Sequence, residues 1–324
     1  MAYCNRFSCK PTKKIQIADM PKIFTITGNL LAEFASEFDM PLLGGTVRAK
    51  SPTRFQVGGK GVNVSRAIAG LGFTSTLVIF PAGKIGDLCA EAIREENIGP
   101  IISSPTPGLT RTGLVAIDSS SGIETTFLNS DLPVSDSAFT FAVNKIREQS
   151  SEGDILAFCG SFPGWNPFKS KMLSELASEK GLQLCFDTYG PPLSDVFAAN
   201  ARILKINRKE LFGLAGEFDD KSEEKFLELF NKFSAKCGAE FFAVSDGPRT
   251  TLARNRYEIG NTIKLVPPQV SEEVSATGCG DVMFAVLITN ILLMGKGALD
   301  SLKSALQISS AMVKSRKIFD ASLL

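Results

Sequence analysis

The stretch from Val274 to Asp281, Val-Ser-Ala-Thr-Gly-Cys-Gly-Asp, carries the residues of this chain best suited to chemistry. Two glycines flank Cys279, and the apolar run Val282–Met294 behind them is long enough for a buried helix but too short to span a bilayer. A glycine turn that feeds a helix leaves N–H groups without intrahelical partners, with the positive end of the helix dipole behind them. Gly278, Cys279 and Gly280 therefore form a candidate anion cradle of the kind that holds phosphate. Asp281 stands in the first helical turn, a carboxylate beside the place where negative charge would be held. The competing reading is an ordinary glycine turn with Asp281 as a helix-start residue.

The other candidates follow from what the chain lacks. There is no histidine among the 324 residues, which excludes His-dependent triads, His-ligated metals and imidazole bases within the chain. A general base is then most easily a carboxylate, and a metal most easily a hard, oxygen-bound ion such as magnesium. Asn207-Arg-Lys-Glu210 follows a strand and opens a helix; the spacing is that of a capping box, and the functional alternative places both side chains in the water network of a phosphate-bound magnesium. Asp187 and Ser245-Asp-Gly247 also end strands, at the carboxyl edge where open α/β sheets bind ligands. Lys60, set between glycines, and Arg111, at the start of a strand pair, are candidate anion ligands, with a plain solvated charge as the alternative for Arg111. Neither a P-loop nor a Gly-x-Gly-x-x-Gly fingerprint is present: Gly59-Lys-Gly61 lacks the first spacing, and Val64 and Met283 stand where the second needs glycine.

These residues need a scaffold, and the pattern supplies one. Strand-like runs at Lys22–Thr27, Thr76–Phe80, Ile155–Cys159, Leu182–Phe186, Arg202–Ile206 and Glu240–Ser245 alternate with helical periodicity at 62–71, 86–96, 138–149, 169–180, 221–236, 282–294 and 299–313. Thr112–Asp118 and Glu124–Leu128 read as a hairpin, Thr251–Arg256 as a further strand, and 30–57 as short strands or irregular chain. The alternation predicts an α/β fold, a doubly wound and mostly parallel sheet with helices on both faces. Hydrophobic content of 44%, charged content of 21% and a net charge of +1 describe a globular chain without a footprint for nucleic acid or a membrane surface. Residues 1–20 read as a loosely held tail without the apolar core of a signal peptide, and seven scattered cysteines without a Cys-x-x-Cys pair point to a reduced, cytoplasmic setting.

Gly58-Gly-Lys-Gly-Val-Asn-Val-Ser-Arg-Ala67 together with Ala276-Thr-Gly-Cys-Gly-Asp281 resembles the ribokinase-like PfkB carbohydrate kinase family. Cys159-Gly-Ser-Phe-Pro163, Lys205-Ile-Asn-Arg-Lys-Glu210 and Val244-Ser-Asp-Gly247 agree with it, and Gly-Gly-Lys-Gly with Thr110-Arg111 is most similar to the 1-phosphofructokinase and tagatose-6-phosphate kinase branch. The resemblance implies one kinase domain over 21–324 with a small β lid from about 30–57 and 109–131, in a family where lids often pair two subunits into a homodimer. It implies ATP and Mg2+, Asp281 as the base, and the N–H groups of Gly278, Cys279 and Gly280 as the anion hole. It implies substrate contacts at Glu33, Gly59, Lys60, Asn63 and Arg111, nucleotide contacts at Lys205, Ser245, Gly247 and Thr277, and magnesium held through water by Asn207 and Glu210. Asp281 need not have a raised pKa for this role, since the dipole and a metal-bound nucleotide keep a carboxylate ionised. Two departures fall on the acceptor side, where Gly28-Asn-Leu-Leu-Ala-Glu33 replaces Asn-Pro-x-x-Asp and Arg111-Thr-Gly113 replaces Arg-x-Asn; Thr250 also stands where the nucleotide loop often has glycine, and Cys279 replaces the usual Ala or Ser of the anion hole. The acceptor implied is a ketohexose phosphate, with an unphosphorylated sugar or a nucleoside as the alternative, and a non-catalytic binding protein on the same fold as the rival class.

Overall fold

The computed structural model describes residues 20–39, 45–219, 221–257, 262–271 and 273–323, so all but the last residue of the expected tail lies outside the described residues. The chain forms β1 (Ile23–Thr27), β2 (Leu31–Phe38), β3 (Arg54–Gly58), α1 (Lys60–Gly70), β4 (Ser75–Ile79), α2 (Gly83–Glu96), β5 (Ile101–Ser103), β6 (Arg111–Asp118) and β7 (Glu124–Leu128). It continues through α3 (Asp136–Gln149), β8 (Ile155–Cys159), α4 (Pro167–Lys180), β9 (Gln183–Asp187), α5 (Pro191–Val196), β10 (Ile203–Asn207), α6 (Arg208–Ala215) and α7 (Glu223–Ser234). Last come β11 (Phe241–Ser245), β12 (Thr251–Asn255), β13 (Ile263–Leu265), α8 (Cys279–Ile288) and α9 (Ala298–Met312).

Nine strands make the main sheet in the order β13-β12-β11-β10-β9-β8-β1-β4-β5, parallel except for the antiparallel pairs of β12 with its two neighbours. This is the doubly wound sheet that the alternation predicts. Side chains alternate between its faces. Leu156 and Phe158 of β8 join a core with α3, α4, α6 and α7, whereas Ile155, Ala157 and Cys159 join a second core with α1, α8 and α9. Burial on both faces explains why these strands read as continuous apolar runs.

From β1 the winding goes outward both ways, through β4 to β5 and through β8 to β11, so the switch point lies between β1 and β8. Register sets Thr27 beside Cys159, Cys159 beside Asp187, and Asn207 beside Ser245 along one carboxyl edge. Crevices for ligands open at such an edge.

A separate sheet has the order β3-β2-β6-β7. Ala32, Phe34, Phe55 and Val57 turn one face onto α2, where Cys89, Ala90 and Ile93 are buried. Leu31, Glu33, Arg54, Gln56 and Val115 face a groove of about 540 Å³ that also meets Thr277, Arg316 and Ile318. The stretch 30–57, which the sequence leaves as short strands or irregular chain, contains the eight-residue strand β2.

Candidate active site

α8 is apolar on every side, and each residue from Asp281 to Ile288 is buried. Its start is set by Gly278, which has φ +80 and whose missing Cβ would lie 2.6 Å from Ile318 Cδ1. Only glycine meets both conditions. Among the described residues the N–H groups of Gly278 and Gly280 donate to no protein acceptor, whereas the Cys279 N–H donates to the Ala276 carbonyl at 3.3 Å. The expectation of three open amides is corrected accordingly: the turn that aims the helix start closes on the middle one. Burial, with Asp281 and Glu273 nearby, pushes the Cys279 thiol up to about 11, so its sulfur carries no charge at neutral pH.

Asp281 is 5% exposed. Burial raises its pKa to about 6; Lys60, the bond from Asn63 and Lys205 pull it down, and Asp187 pushes it up. Desolvation thus outweighs the cations around the carboxylate. Asn63 Nδ2 donates to Asp281 Oδ2 at 2.8 Å, and Arg66 Nη1 donates to Asn63 Oδ1 at 3.0 Å. Arg66 in turn grips Glu96 through Nε at 2.6 Å and Nη2 at 2.7 Å, fixing which end of the Asn63 amide faces the base. Asn63, expected among the substrate contacts, thus lies one step behind Asp281.

Asp187, at the end of β9, is fully buried between two ammonium groups: Lys60 Nζ at 2.7 Å from one oxygen and Lys205 Nζ at 3.0 Å from the other. Burial works against its charge, but the two lysines overcome it and hold the carboxyl below the usual range. Burial likewise opposes the charge on Lys60, and Asp187, Glu210 and Asp281 together outweigh it and raise its pKa. A Cβ on Gly280 would sit 2.8 Å from Lys205 Nζ, so that ammonium lies directly over the helix start.

Three spaces meet here. Lys205, Asn207, Ser245, Gly247, Gly278 and Asp281 line a cleft of about 560 Å³ that extends past Pro248 and Pro267. Thr27, Gly59, Arg111, Gly160 and Tyr189 line a smaller cavity of about 50 Å³ at the switch point. Lys60 borders both. Glu33 and Thr277 face the groove under the second sheet instead, with Glu33 accepting from Gln56 Nε2. Arg111 is no solvated charge: its side chain is 14% exposed and pairs with Asp131 at 2.7 Å.

The capping box at Asn207 and Glu210 is formed, with Asn207 Oδ1 accepting from Glu210 N at 2.9 Å and Glu210 Oε2 accepting from Asn207 N at 2.7 Å. That leaves Glu210 Oε1, which sits 3.6 Å from Lys60 Nζ. Burial raises the Glu210 pKa against the pull of Lys60. Asp187, which the sequence offers as the acidic end of an apolar strand, is joined in the site by Asn29, Ser161 and Asp131, which the sequence does not single out.

Known proteins are similar to this chain in sequence and fold. The chain is 30% identical over 274 residues to the ATP-dependent 6-phosphofructokinase isozyme 2 of Escherichia coli, covering 83% of this chain and 85% of that one. It is 28% identical to the D-tagatose-1-phosphate kinase of Bacillus licheniformis, over 93% and 96% of the two chains. The crystal structure of Escherichia coli phosphofructokinase-2 in complex with fructose-6-phosphate superposes with a TM-score of 0.80 at 25% identity, covering 91% of this chain and 94% of that one. The family model described as pfkB family carbohydrate kinase matches residues 31–320. A doubly wound sheet whose switch point carries Lys60, facing a buried carboxylate at the start of an apolar helix, thus places this chain in the pfkB family of carbohydrate kinases.

Proposed function

We propose that the protein transfers the γ-phosphate of ATP, with Mg2+, to a hydroxyl of a ketohexose phosphate. The observation that carries this reading is Asp281, a buried carboxylate at a helix start, in a cleft whose neighbour across Lys60 is a second, cation-lined cavity. The larger cleft suits the nucleotide, with Lys205, Ser245 and Gly247 along it; the smaller one, with Gly59, Lys60 and Arg111, suits the anionic group of the acceptor. Similar proteins named for fructose and tagatose phosphates support the acceptor class.

In the reaction the acceptor hydroxyl oxygen forms a bond to the γ-phosphorus as the bond to the bridging oxygen of ADP breaks, and Asp281 accepts the hydroxyl proton. The open N–H groups of Gly278 and Gly280 and the ammonium of Lys205 face the charge that spreads over the transferred group. Magnesium bound with the nucleotide would neutralise phosphate charge. Among the described residues no three acidic, cysteine or histidine side chains gather as a metal cage, and one oxygen of Glu210 lies outside the capping box. This donor set fits a hard ion held mostly by phosphates and water, which Glu210 and Asn207 would hold through its waters.

Pairing of two chains through the second sheet belongs to the same reading. Its edge strand β7 exposes Phe127 and Leu128, with Ile123 in the turn before it.

The direct test is an acceptor panel followed by ADP release: fructose 1-phosphate, fructose 6-phosphate, tagatose 6-phosphate, free fructose, free tagatose and a nucleoside. The expected result is a kcat/KM for one phosphorylated ketohexose at least ~10²-fold above every uncharged acceptor, in line with a bound anionic group. Preference for a free sugar or a nucleoside would overturn the acceptor class.

A further inference from the structure

Arg111 has an internal anion. Its Nη1 donates to Asp131 Oδ1 at 2.7 Å, and Asn29 Nδ2 donates to the same oxygen at 2.9 Å and to Ser161 Oγ at 2.9 Å. Arg111, Asn29 and Ser161 line the small cavity. The Arg111 Nε is buried with no partner among the described residues, so the guanidinium, with five N–H donors, is only partly satisfied. Asp131 itself is half exposed, with 53% of its side chain open to solvent. A cation that is enclosed and under-satisfied, matched to a carboxylate free to swing outward, is an arrangement that a second anion can enter.

We propose that Asp131 is a specificity-determining residue, whose carboxylate holds Arg111 where an acceptor's anionic group would bind and so sets how strongly the cavity prefers phosphorylated over uncharged acceptors. This rests on the reading of the small cavity as the acceptor site. A phosphate arriving at Arg111 must displace Asp131 or share one guanidinium with it, and two negative groups on one cation repel each other. An uncharged sugar meets no such repulsion, and Asp131 is an acceptor for its hydroxyls. Because the carboxylate is half exposed, its grip on Arg111 is in the modest range of solvated ion pairs. Removing its charge is therefore expected to strengthen phosphate binding by about two- to fivefold, not by orders of magnitude.

Calorimetric titration tests this without relying on turnover. Fructose 6-phosphate, inorganic phosphate and free fructose are each titrated into wild type, Asp131→Asn and, as a second replacement at this exposed position, Asp131→Ser. The expected result is tighter binding of both phosphate-bearing probes to both variants, equal or weaker binding of fructose, and loss of the gain when Arg111→Gln is added. Unchanged or weaker phosphate binding in the single variants, or a gain that survives Arg111→Gln, overturns the proposal. A wild type that binds fructose 6-phosphate but releases no ADP from ATP would instead refute the kinase reading, while the binding comparison still decides the role of Asp131.

Discussion

The ionisation of one carboxylate controls the proposed chemistry. Asp281 has its pKa raised to about 6, chiefly by burial, and as a base it works only when deprotonated. With fructose 6-phosphate as acceptor, kcat/KM is expected to rise about tenfold per pH unit below 6 and to level off above it, read from a pH–rate profile between pH 5 and 8. A flat profile across that range would contradict the assignment. Asn63 donates to this carboxylate and stabilises its charged form. Asn63→Leu removes that bond, so the acid limb is expected to move to higher pH by up to about one unit, while the plateau is retained. A purely structural role would lower the plateau and leave the limb in place. Asp187 follows the opposite pattern: two ammonium groups at its two oxygens keep it charged despite complete burial.

At the level of elements, the site depends on strand ends and helix starts. Asn207 ends β10 and caps α6, and both halves of the capping box are present. Asn207→Ala removes a cap and is expected to lower stability by about 1 kcal/mol in urea unfolding, together with a raised KM for ATP. Intact stability would show that the cap carries no load. The strands Ile155–Cys159 and Phe241–Ser245 and the helix after Gly278 were legible because burial on both faces leaves apolar runs. β2 was not, since apolar Leu31 and Ala35 share the groove face with Glu33, and polar Ser36 lies on the inner face, which breaks the alternation. The three-residue strands β5 and β13 and the short helix α5, Pro-Pro-Leu-Ser-Asp-Val, are too brief for periodicity to register. Within the site, Lys60 and Asp281 stood out by type and setting, Arg111 only beside the alternative of a solvated charge, and Lys205 only through the family resemblance. Asn29, Asp131 and Ser161 did not, because their role arises only when residues over a hundred positions apart meet at the switch point. The engagement of the Cys279 amide was equally hidden, since a glycine pattern does not reveal which N–H the turn itself uses.

For the whole molecule, the buried base is a stability cost. The folded pKa of Asp281, about 6, stands above the 3.8 of an unfolded aspartate, so the native state favours the protonated form. The penalty is fully present above pH 6 and fades as the pH falls toward 4. Asp281→Asn is therefore expected to be more stable than wild type by on the order of 2 kcal/mol at pH 7.5, with the difference shrinking at pH 5, as measured by urea unfolding at both values. The surrounding helix absorbs the penalty: fully burying side chains such as Phe284 or Leu287 contributes roughly 1.5–3 kcal/mol each. Assembly is the second property at this scale. Charged replacements at the exposed pair, Phe127→Asp with Leu128→Asp, are expected to turn a dimer into a monomer by light scattering. A wild type that is already monomeric would remove the pairing proposal.

The most direct test of the account is the turnover of Asp281→Asn beside its ligand binding. The prediction is a kcat lowered by ~10²–10⁴, the loss typical of a removed general base, with ATP and fructose 6-phosphate bound within about threefold of wild type. A variant that turns over at near the wild-type rate would contradict the central claim that this carboxylate takes the acceptor's proton.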